Sequence, residues 1–293
     1  MTTFIQQVIN GLSLGSVYAL IAVGYSLVYS ILMFSNFAHG GFLVVGGYIC
    51  YGMMLKLGSG IWLAGAAAIV GAGIVAVITE RLAYKPIRER TPVTLYLLIA
   101  SMGVSIVIEN FFVITIGGRF RALPQILPQT PITFAQGITF SIFDIVTFTI
   151  SIVFLLGLQL FLQKTKWGLA IRAAACDLRT AGLMGVNVTL LIGLVFLVAG
   201  GLAAVGGIFL AMRYTLFPQL GNITIKAFVA AVIGGLGSLP GAVVGSFILG
   251  LAEMLCAGFI SSQMRDLVVF LLLVITLLIR PAGLFGKQIS DKV

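Results

Sequence analysis

Long stretches of this chain carry no Asp, Glu, Lys or Arg. The first charged residue is Lys56, and further charge-free runs follow it. These runs are Leu57–Thr79, Thr91–Ile108, Ala122–Phe143, Thr180–Met212 and Ala227–Ala252. A helix needs about 20 apolar residues to cross the hydrocarbon core of a bilayer, and several of the runs reach that length. The pattern therefore predicts a protein that crosses a membrane several times.

The apolar runs are uniform, as in Leu271–Ile279, whereas strands of an outer-membrane barrel alternate apolar and polar residues. A helix satisfies every backbone N–H within its own segment, as lipid demands. We therefore predict an all-α bundle of about eight membrane helices. They lie near residues 5–33, 41–56, 60–79, 93–116, 140–162, 188–212, 226–258 (interrupted) and 265–280. The first segment lacks a cationic n-region, so we expect a membrane helix there and not a signal peptide.

Composition supports the same class, because 60% of the residues are hydrophobic and only 9% are charged. Soluble domains carry about a quarter charged residues. The net charge of +9 does not indicate nucleic-acid binding, since the basic residues sit in short loops between apolar runs. Loops 80–92 and 163–187 are strongly basic and are predicted to be cytoplasmic. The connector Gly117–Gln136 is then external.

The C-terminal tail is also basic, with Arg280, Lys287 and Lys292, and is predicted to be cytoplasmic. Three single spans after the second basic loop would leave this tail outside. We therefore expect the segment 226–258 to be broken and partly re-entrant.

Two of the apolar runs contain helix-breaking clusters in corresponding positions of the two halves. One cluster spans Phe34–Phe42 and the other spans Gly234–Gly241. Paired discontinuous helices of this kind indicate a transport site near the bilayer midplane and an internal two-fold repeat. Glycines that merely allow close helix packing are the alternative. The candidate substrate-pathway residues are Asn36, His39, Gly40, Gly41, Gly234, Gly235, Gly237, Ser238, Pro240 and Glu253.

Few ionisable side chains fall inside the apolar runs. His39 is the only histidine, and we favour a structural role at the helix break over direct substrate contact. Glu109 and Glu253 are expected to be neutral, paired or facing a cavity, because a lone buried carboxylate is costly. The three cysteines have no metal-ligand spacing, so no metal or cofactor is predicted.

The basic stretch Trp167–Asn187 is rich in Ala and Leu, which predicts a helix that breaks at Gly182 and Gly185. A short amphipathic helix between two spans could lie on the membrane surface. It could also dock onto a cytosolic partner. Both interpretations remain open on these residues alone.

Three motifs in series resemble one family. They are Asn36–Gly40, the Ala/Arg/Asp/Leu/Gly pattern of residues 172–187, and Lys226–Gly241. Together they resemble the LivH-type permeases of branched-chain amino acid ABC importers, over about residues 5–285. The resemblance implies one transmembrane permease domain over residues 1–293 of the bacterial cytoplasmic membrane. It also implies two cytosolic ATPase subunits, a second related permease subunit and an extracytoplasmic substrate-binding protein as partners.

By the same resemblance, residues 168–185 form the helix that couples the permease to its ATPases. The implied coupling residues are Arg172, Ala173, Ala174, Asp177, Leu178, Gly182 and Gly185. A typical EAA loop of ABC permeases begins with Glu, whereas Arg172 precedes Ala173 here. This departure resembles the branched-chain branch of the family.

The chain has no Gly-x-x-x-x-Gly-Lys-Ser/Thr P-loop, because Gly286-Lys287 is followed by Gln288. ATP hydrolysis is therefore expected from separate subunits, and the chain itself is not expected to be an enzyme. The alternatives are a permease of the same family for urea or short amides, and a secondary transporter or channel that works alone. An intramembrane protease is disfavoured, since no Gly-x-Ser-Gly element accompanies His39.

Overall fold

The structure is a computed structural model that describes residues 2–91, 93–124, 131–134 and 138–286. It is built from twelve α-helices in this part of the chain. They are α1 (Thr2–Leu32), α2 (His39–Lys56), α3 (Ile61–Thr79), α4 (Lys85–Arg90), α5 (Thr94–Thr115), α6 (Ile142–Lys164), α7 (Lys166–Cys176), α8 (Leu178–Leu183), α9 (Val188–Tyr214), α10 (Thr224–Gly234), α11 (Leu239–Phe259) and α12 (Arg265–Ile279). The predicted all-α class is confirmed.

Seven helical stretches of the described residues are long and apolar enough to cross a membrane. They are Thr2–Leu32, Ile61–Arg90, Thr94–Thr115, Ile142–Lys164, Val188–Tyr214, Leu239–Phe259 and Ser262–Ile279. The remaining predicted span, near 41–56, corresponds to α2, a buried helix rich in glycine. The prediction of a polytopic helical membrane protein is therefore confirmed.

A short antiparallel hairpin was not predicted. Its strands, β1 (Pro131–Phe134) and β2 (Ile138–Ser141), pair with Pro131 opposite Ser141 and Phe134 opposite Ile138. The hairpin lies in and just after the predicted external connector, where the chain is poor in helix-forming patterns. The rest of that connector lies partly outside the described residues.

The predicted basic loop 80–92 is largely helical, so its assignment as a loop was wrong. A π-helical turn, Glu80–Tyr84, continues α3 directly into α4. Pro86 is tolerated because it lies in the first turn of α4, where its missing N–H removes no helical hydrogen bond. The helix predicted within loop 163–187 is confirmed, as α7 and α8. Its predicted break at Gly182 was wrong, because Gly182 lies inside α8 and the helices separate at Asp177.

One of two compact units comprises residues 27–126 and 153–224. Its core is the packing of α2, α3 and α9, whose backbones approach closely at small residues. A Cβ on Gly207 of α9 would lie 2.3 Å from the Leu43 carbonyl oxygen of α2. A Cβ on Gly200 would lie 2.8 Å from the Ala72 carbonyl oxygen of α3. Small side chains therefore set the spacing of these membrane helices.

The other unit comprises residues 1–26, 127–152 and 225–293, as far as they are described. Here α1 packs against α11 through small residues, since a Cβ on Gly250 would lie 2.6 Å from the Gly11 carbonyl oxygen. The helices α10 and α11 form a hairpin. At 11 residues, α10 spans about 16 Å and is too short to cross a hydrocarbon core of about 30 Å.

Candidate functional site

Asn36 holds the first helix break together. The break runs from Met33 to Ala38, between α1 and α2. The Asn36 Oδ1 accepts the Ala38 backbone N–H at 3.2 Å and the Tyr84 hydroxyl at 2.9 Å. The Asn36 side chain is 1% exposed, so both hydrogen bonds are sheltered from solvent. An asparagine that bonds the backbone two residues on is a common way to stabilise a turn.

A second side chain joins the break from another helix. Ser101 of α5 accepts the Phe37 backbone N–H at 3.1 Å, and its own hydroxyl donates to the Leu98 carbonyl at 2.7 Å. The Tyr84 ring also packs edge-on against Phe34, with centroids 5.5 Å apart. Side chains therefore accept two backbone N–H groups of the break, those of Phe37 and Ala38.

His39, Gly40 and Gly41 form the first turn of α2, directly after the break. His39 is fully buried, and its ring lies edge-on to Phe42 with centroids 6.3 Å apart. A Cβ on Gly40 would lie 2.4 Å from the Gly221 carbonyl oxygen, so only glycine permits this approach. The structural role predicted for His39 agrees with this burial, and its part in transport stays a prediction.

A small cleft borders the two glycines of that turn. Its cavity volume is about 10 Å³, room for one group the size of a water molecule. Its lining residues are Gly40, Gly41, Val44, Ser105, Ile108, Glu109, Pro218, Gln219, Gly221 and Asn222. Four of these side chains are polar, namely Ser105, Glu109, Gln219 and Asn222.

The sequence did not predict a buried carboxylate near the first break. Glu80, at the start of the π-helical turn, is fully buried. Arg88 lies 3.1 Å from its Oε1, and Arg81 lies 3.5 Å from its Oε2. The sequence shows Glu80 followed by four basic residues. It does not show that the segment is helical, which brings Arg81 and Arg88 to the Glu80 carboxylate.

The second break is closed by backbone geometry. Gly235 and Gly237 adopt φ values of +106° and +82°, which glycine takes without strain. Ser238 is the N-cap of α11, and its Oγ accepts the Gly241 N–H at 3.2 Å. Pro240 follows in the first turn of α11, where proline is favoured. The cluster thus turns the chain sharply and starts a new helix.

The two limbs of this hairpin touch at glycine. A Cβ on Gly234 would lie 1.9 Å from the Gly241 carbonyl oxygen. A Cβ on Gly245 would lie 2.1 Å from the Ala230 carbonyl oxygen, one helical turn away along both limbs. The chain therefore doubles back on itself here, as expected for a re-entrant segment.

The C-terminal segment completes the second break. The backbone N–H groups of Leu284 and Phe285 donate to the carbonyls of Ile233 and Gly234, each at 2.9 Å. These carbonyls end α10 and have no partner within that helix. Residues 284 and 285 therefore cap α10 from a distance along the chain.

Glu253 of α11 is paired, which is one of the three states expected for it from the sequence. Its Oε1 lies 2.9 Å from the Lys226 ammonium, and its Oε2 accepts the Tyr18 hydroxyl at 2.9 Å. Lys226 also lies 2.8 Å from Asp266 at the start of α12. The pairing joins α1, α10, α11 and α12. Lys226 balances the charge of Glu253. A role for Glu253 in the substrate pathway stays a prediction.

The predicted coupling stretch is a pair of short helices joined at Asp177. The Asp177 carboxylate caps α8 by accepting the Arg179 backbone N–H at 2.8 Å and that of Thr180 at 3.2 Å. The hydrogen bond from the Thr180 hydroxyl, with these backbone bonds, lowers the pKa of Asp177 below its usual value. Arg172 donates to the Leu162 carbonyl and ties α7 to the end of α6.

Apolar side chains on this pair are left uncovered. Leu183 and Met184 are each 82% exposed, and Leu169 is 61% exposed. Gly185 ends the pair with a φ of +92°, a conformation that favours glycine after a helix. Large exposed apolar groups outside the spans indicate a surface that another molecule covers.

Apart from Glu253 on α11, the predicted residues therefore fall into three local groups. Asn36, His39, Gly40 and Gly41 form the first break. Gly234, Gly235, Gly237, Ser238 and Pro240 form the second break. The coupling residues Arg172, Ala173, Ala174, Asp177, Leu178, Gly182 and Gly185 lie on α7, α8 and the turn that ends them, with Asp177 between the helices.

Comparison with known proteins points to one kind of protein. The family model described as "Branched-chain amino acid transport system / permease component" matches residues 7–277. The LivH permease protein of the high-affinity branched-chain amino acid transport system of Escherichia coli K12 is 38% identical over 99% of this chain and 98% of its own. BraD of Pseudomonas aeruginosa is 37% identical with the same coverage. A probable LivH of Methanocaldococcus jannaschii is 30% identical over 91% of this chain and 88% of its own.

Proposed function

Because the chain belongs to the family of branched-chain amino acid transport permease components, we propose that it is the membrane permease subunit of an ABC importer. It carries leucine, isoleucine, valine or related amino acids across the bacterial inner membrane. The observation that supports this most directly is similarity along the whole chain to LivH and BraD. The seven candidate spans agree with a multi-pass protein.

We also propose the division of labour within the importer. The chain lacks a P-loop, so two cytosolic ATPase subunits supply the energy. A second, related permease subunit completes the membrane domain, and an extracytoplasmic binding protein delivers the amino acid. Transport alternates the access of the pathway between the two sides of the membrane as the ATPases close and open.

The segment α7–α8 is the proposed handle for the ATPases. Its support is the exposed apolar group Leu169, Leu183 and Met184, together with the Asp177 cap that keeps α8 formed. Movement of this segment would pass to α6 through the hydrogen bond from Arg172 to Leu162. It would pass to α9 through the turn at Gly185.

The handle is tested by the double variant Leu183→Asp with Met184→Asp, expressed with the neighbouring importer genes. Burying an apolar side chain of this size contributes about 1.5–3 kcal/mol, so its loss should weaken ATPase binding at least about tenfold. We expect leucine uptake and co-purification of the ATPase to fall together, while the amount of chain in the membrane stays unchanged.

Leu57→Asp is the matched control, because Leu57 is 71% exposed and lies on the predicted external side. It should leave co-purification of the ATPase intact. Normal uptake by the double variant would show that the handle is wrong. The whole function would be contradicted if the chain alone, in liposomes, moved leucine at full rate without any ATPase.

A further inference from the structure

Glu109 is the one carboxylate without a partner in the described part of the chain. The sequence has eight Asp and Glu residues, of which Asp291 lies outside the described residues. The other six are paired or act as caps: Glu80 with Arg81 and Arg88, Glu89 with Lys85, Asp144 with Ser13, Asp177 at α8, and Glu253 and Asp266 with Lys226. Among the described residues, no ion pair or hydrogen bond is formed by the Glu109 carboxylate.

The position of Glu109 makes an unpaired carboxylate energetically costly. It lies in α5, an apolar helix long enough to span a membrane, six residues before its last residue Thr115. Two other polar side chains of α5 are satisfied by the backbone of the helix. Asn110 donates to the Ile106 carbonyl at 2.8 Å, and Thr115 donates to the Phe111 carbonyl at 2.7 Å. An ionised carboxylate has no donor to offer and cannot do the same. An unpaired ionisable group at membrane depth indicates function.

The surroundings of Glu109 indicate what it binds. It lines the small cleft beside Gly40 and Gly41, and no Lys, Arg or His among the described residues lines this cleft. Ser105, Gln219 and Asn222 add neutral hydrogen-bonding groups. The cleft is therefore equipped to receive a positive charge that carries its own donors.

The size and location of the cleft restrict the ligand further. Its cavity volume of about 10 Å³ is far below the roughly 300–1,000 Å³ of pockets for drug-sized ligands, so it has room for one group the size of a water molecule, such as an ammonium. Glu109 lies about 9 Å from the end of α5 that leads into the predicted external connector. A solute released on that side reaches this end of the helix first.

We propose that Glu109 binds the ammonium group of the incoming amino acid, with the cleft as an outer subsite of the pathway. This inference rests on the proposed function, because it assumes that an amino acid is the solute. An ammonium group offers three N–H donors and a full positive charge, which match an unpaired carboxylate. The apolar side chain of the solute stays outside this cleft.

The first experiment measures leucine uptake by the complete importer with Glu109→Gln. This change keeps the shape of the side chain and removes its charge. Loss of one charge-assisted hydrogen bond should raise the KM for leucine about 10- to 100-fold. Glu109→Asp should retain part of the affinity. Glu89→Gln is the matched control, since Glu89 has an exposed side chain on α4 and should leave the KM unchanged.

The second experiment reports on the cleft directly. In a Cys176→Ser background, which removes the one exposed cysteine among the described residues, Ser105→Cys places a thiol in the lining of the cleft. Leucine should slow its modification by a water-soluble thiol reagent. 4-Methylpentanoate, which is leucine without its amino group, should not, and neither should Na⁺. Adding Glu109→Gln should abolish the protection by leucine.

The outcomes separate this inference from the function on which it rests. If the unmodified importer takes up no leucine, the proposed function fails. If it does take up leucine, an unchanged KM in Glu109→Gln overturns the subsite, as does equal protection by 4-methylpentanoate. Should Glu109→Gln fail to reach the membrane, the comparison of leucine with 4-methylpentanoate at Ser105→Cys still decides.

Discussion

The two helix breaks look alike in the sequence but are closed by different means. The break before α2 is held by side chains: the Asn36 amide oxygen accepts from Ala38 and Tyr84, and Ser101 accepts from Phe37. The break between α10 and α11 is held mainly by the main chain. Its turn uses glycines with positive φ, and its free carbonyls accept from Leu284 and Phe285.

The kind of closure determines which substitutions each break tolerates. A closure made by side chains fails one hydrogen bond at a time, and each loss has a limited cost. A closure made by touching backbones leaves no room for a single added carbon. The first break should therefore weaken gradually under mutation, and the second should fail at once. Three substitutions test this contrast, and they follow in order of decreasing predicted effect.

Gly234→Ala should have the largest effect. The new Cβ would lie 1.9 Å from the Gly241 carbonyl oxygen, so the α10–α11 hairpin has to open. We expect little folded protein in the membrane, measured by the amount that survives detergent extraction as a monodisperse peak. Gly65→Ala in α3 is the control, because no atom lies within 4 Å of the Cβ it would add. Normal yields from Gly234→Ala would remove the contrast between the breaks.

Asn36→Ala should have an intermediate effect. It leaves the Tyr84 hydroxyl and the Ala38 N–H buried without their acceptor, at about 1–3 kcal/mol for each group. We expect a lower melting temperature of the purified protein, with the folded chain still present in the membrane.

A double-mutant cycle with Tyr84→Phe sharpens this test, since Phe removes the hydroxyl and keeps the ring. Adding Tyr84→Phe to Asn36→Ala should cost less than Tyr84→Phe alone, because the two residues share one hydrogen bond. Fully additive losses would mean that the Asn36–Tyr84 hydrogen bond contributes nothing to the break.

Phe285→Pro should have the smallest effect of the three. Proline lacks the N–H that donates to the Gly234 carbonyl, so α10 loses one of its two distant hydrogen bonds, worth about 0.5–1.5 kcal/mol. Hydrogen exchange in α10 should quicken. Phe285→Ala keeps the N–H and should leave exchange unchanged. Equal exchange in the two variants would show that the backbone contact of the C-terminal segment is not what holds the hairpin.

The sequence predicted the membrane helices well because charge-free runs of about 20 residues mark segments long enough to span a bilayer. It also located both breaks, since Asn, Pro and clustered Gly disfavour a continuous helix wherever they occur. The end of α10 and the start of α11 follow from Gly234, Ser238 and Pro240. Local chemistry decides such features, and local chemistry is visible in sequence.

Partners across the fold could not be predicted in this way. Asn36 and Tyr84 are 48 positions apart, and Lys226 and Glu253 are 27 apart. Their pairing depends on how helices pack, which hydrophobic periodicity does not specify in uniformly apolar runs. The cleft could not be predicted for the same reason. Glu109 and Glu253 both lie in apolar segments of the sequence, and only the packing of the helices places a lysine beside Glu253. The assignment of 80–92 as a loop was wrong because clustered charge does not by itself predict irregular structure, and most residues of this segment are Glu, Arg, Lys, Leu or Ala, which favour a helix.

The hydrogen bonds from Leu284 and Phe285 also have a consequence for biosynthesis. The carbonyls that they satisfy, at Ile233 and Gly234, leave the ribosome about 50 residues earlier. At ordinary translation speeds this interval is roughly 3–10 s. During that time the end of α10 has no backbone donors from its own C-terminal segment, and water or the insertion machinery has to satisfy it. A premature stop codon just before position 284 would make that temporary state permanent.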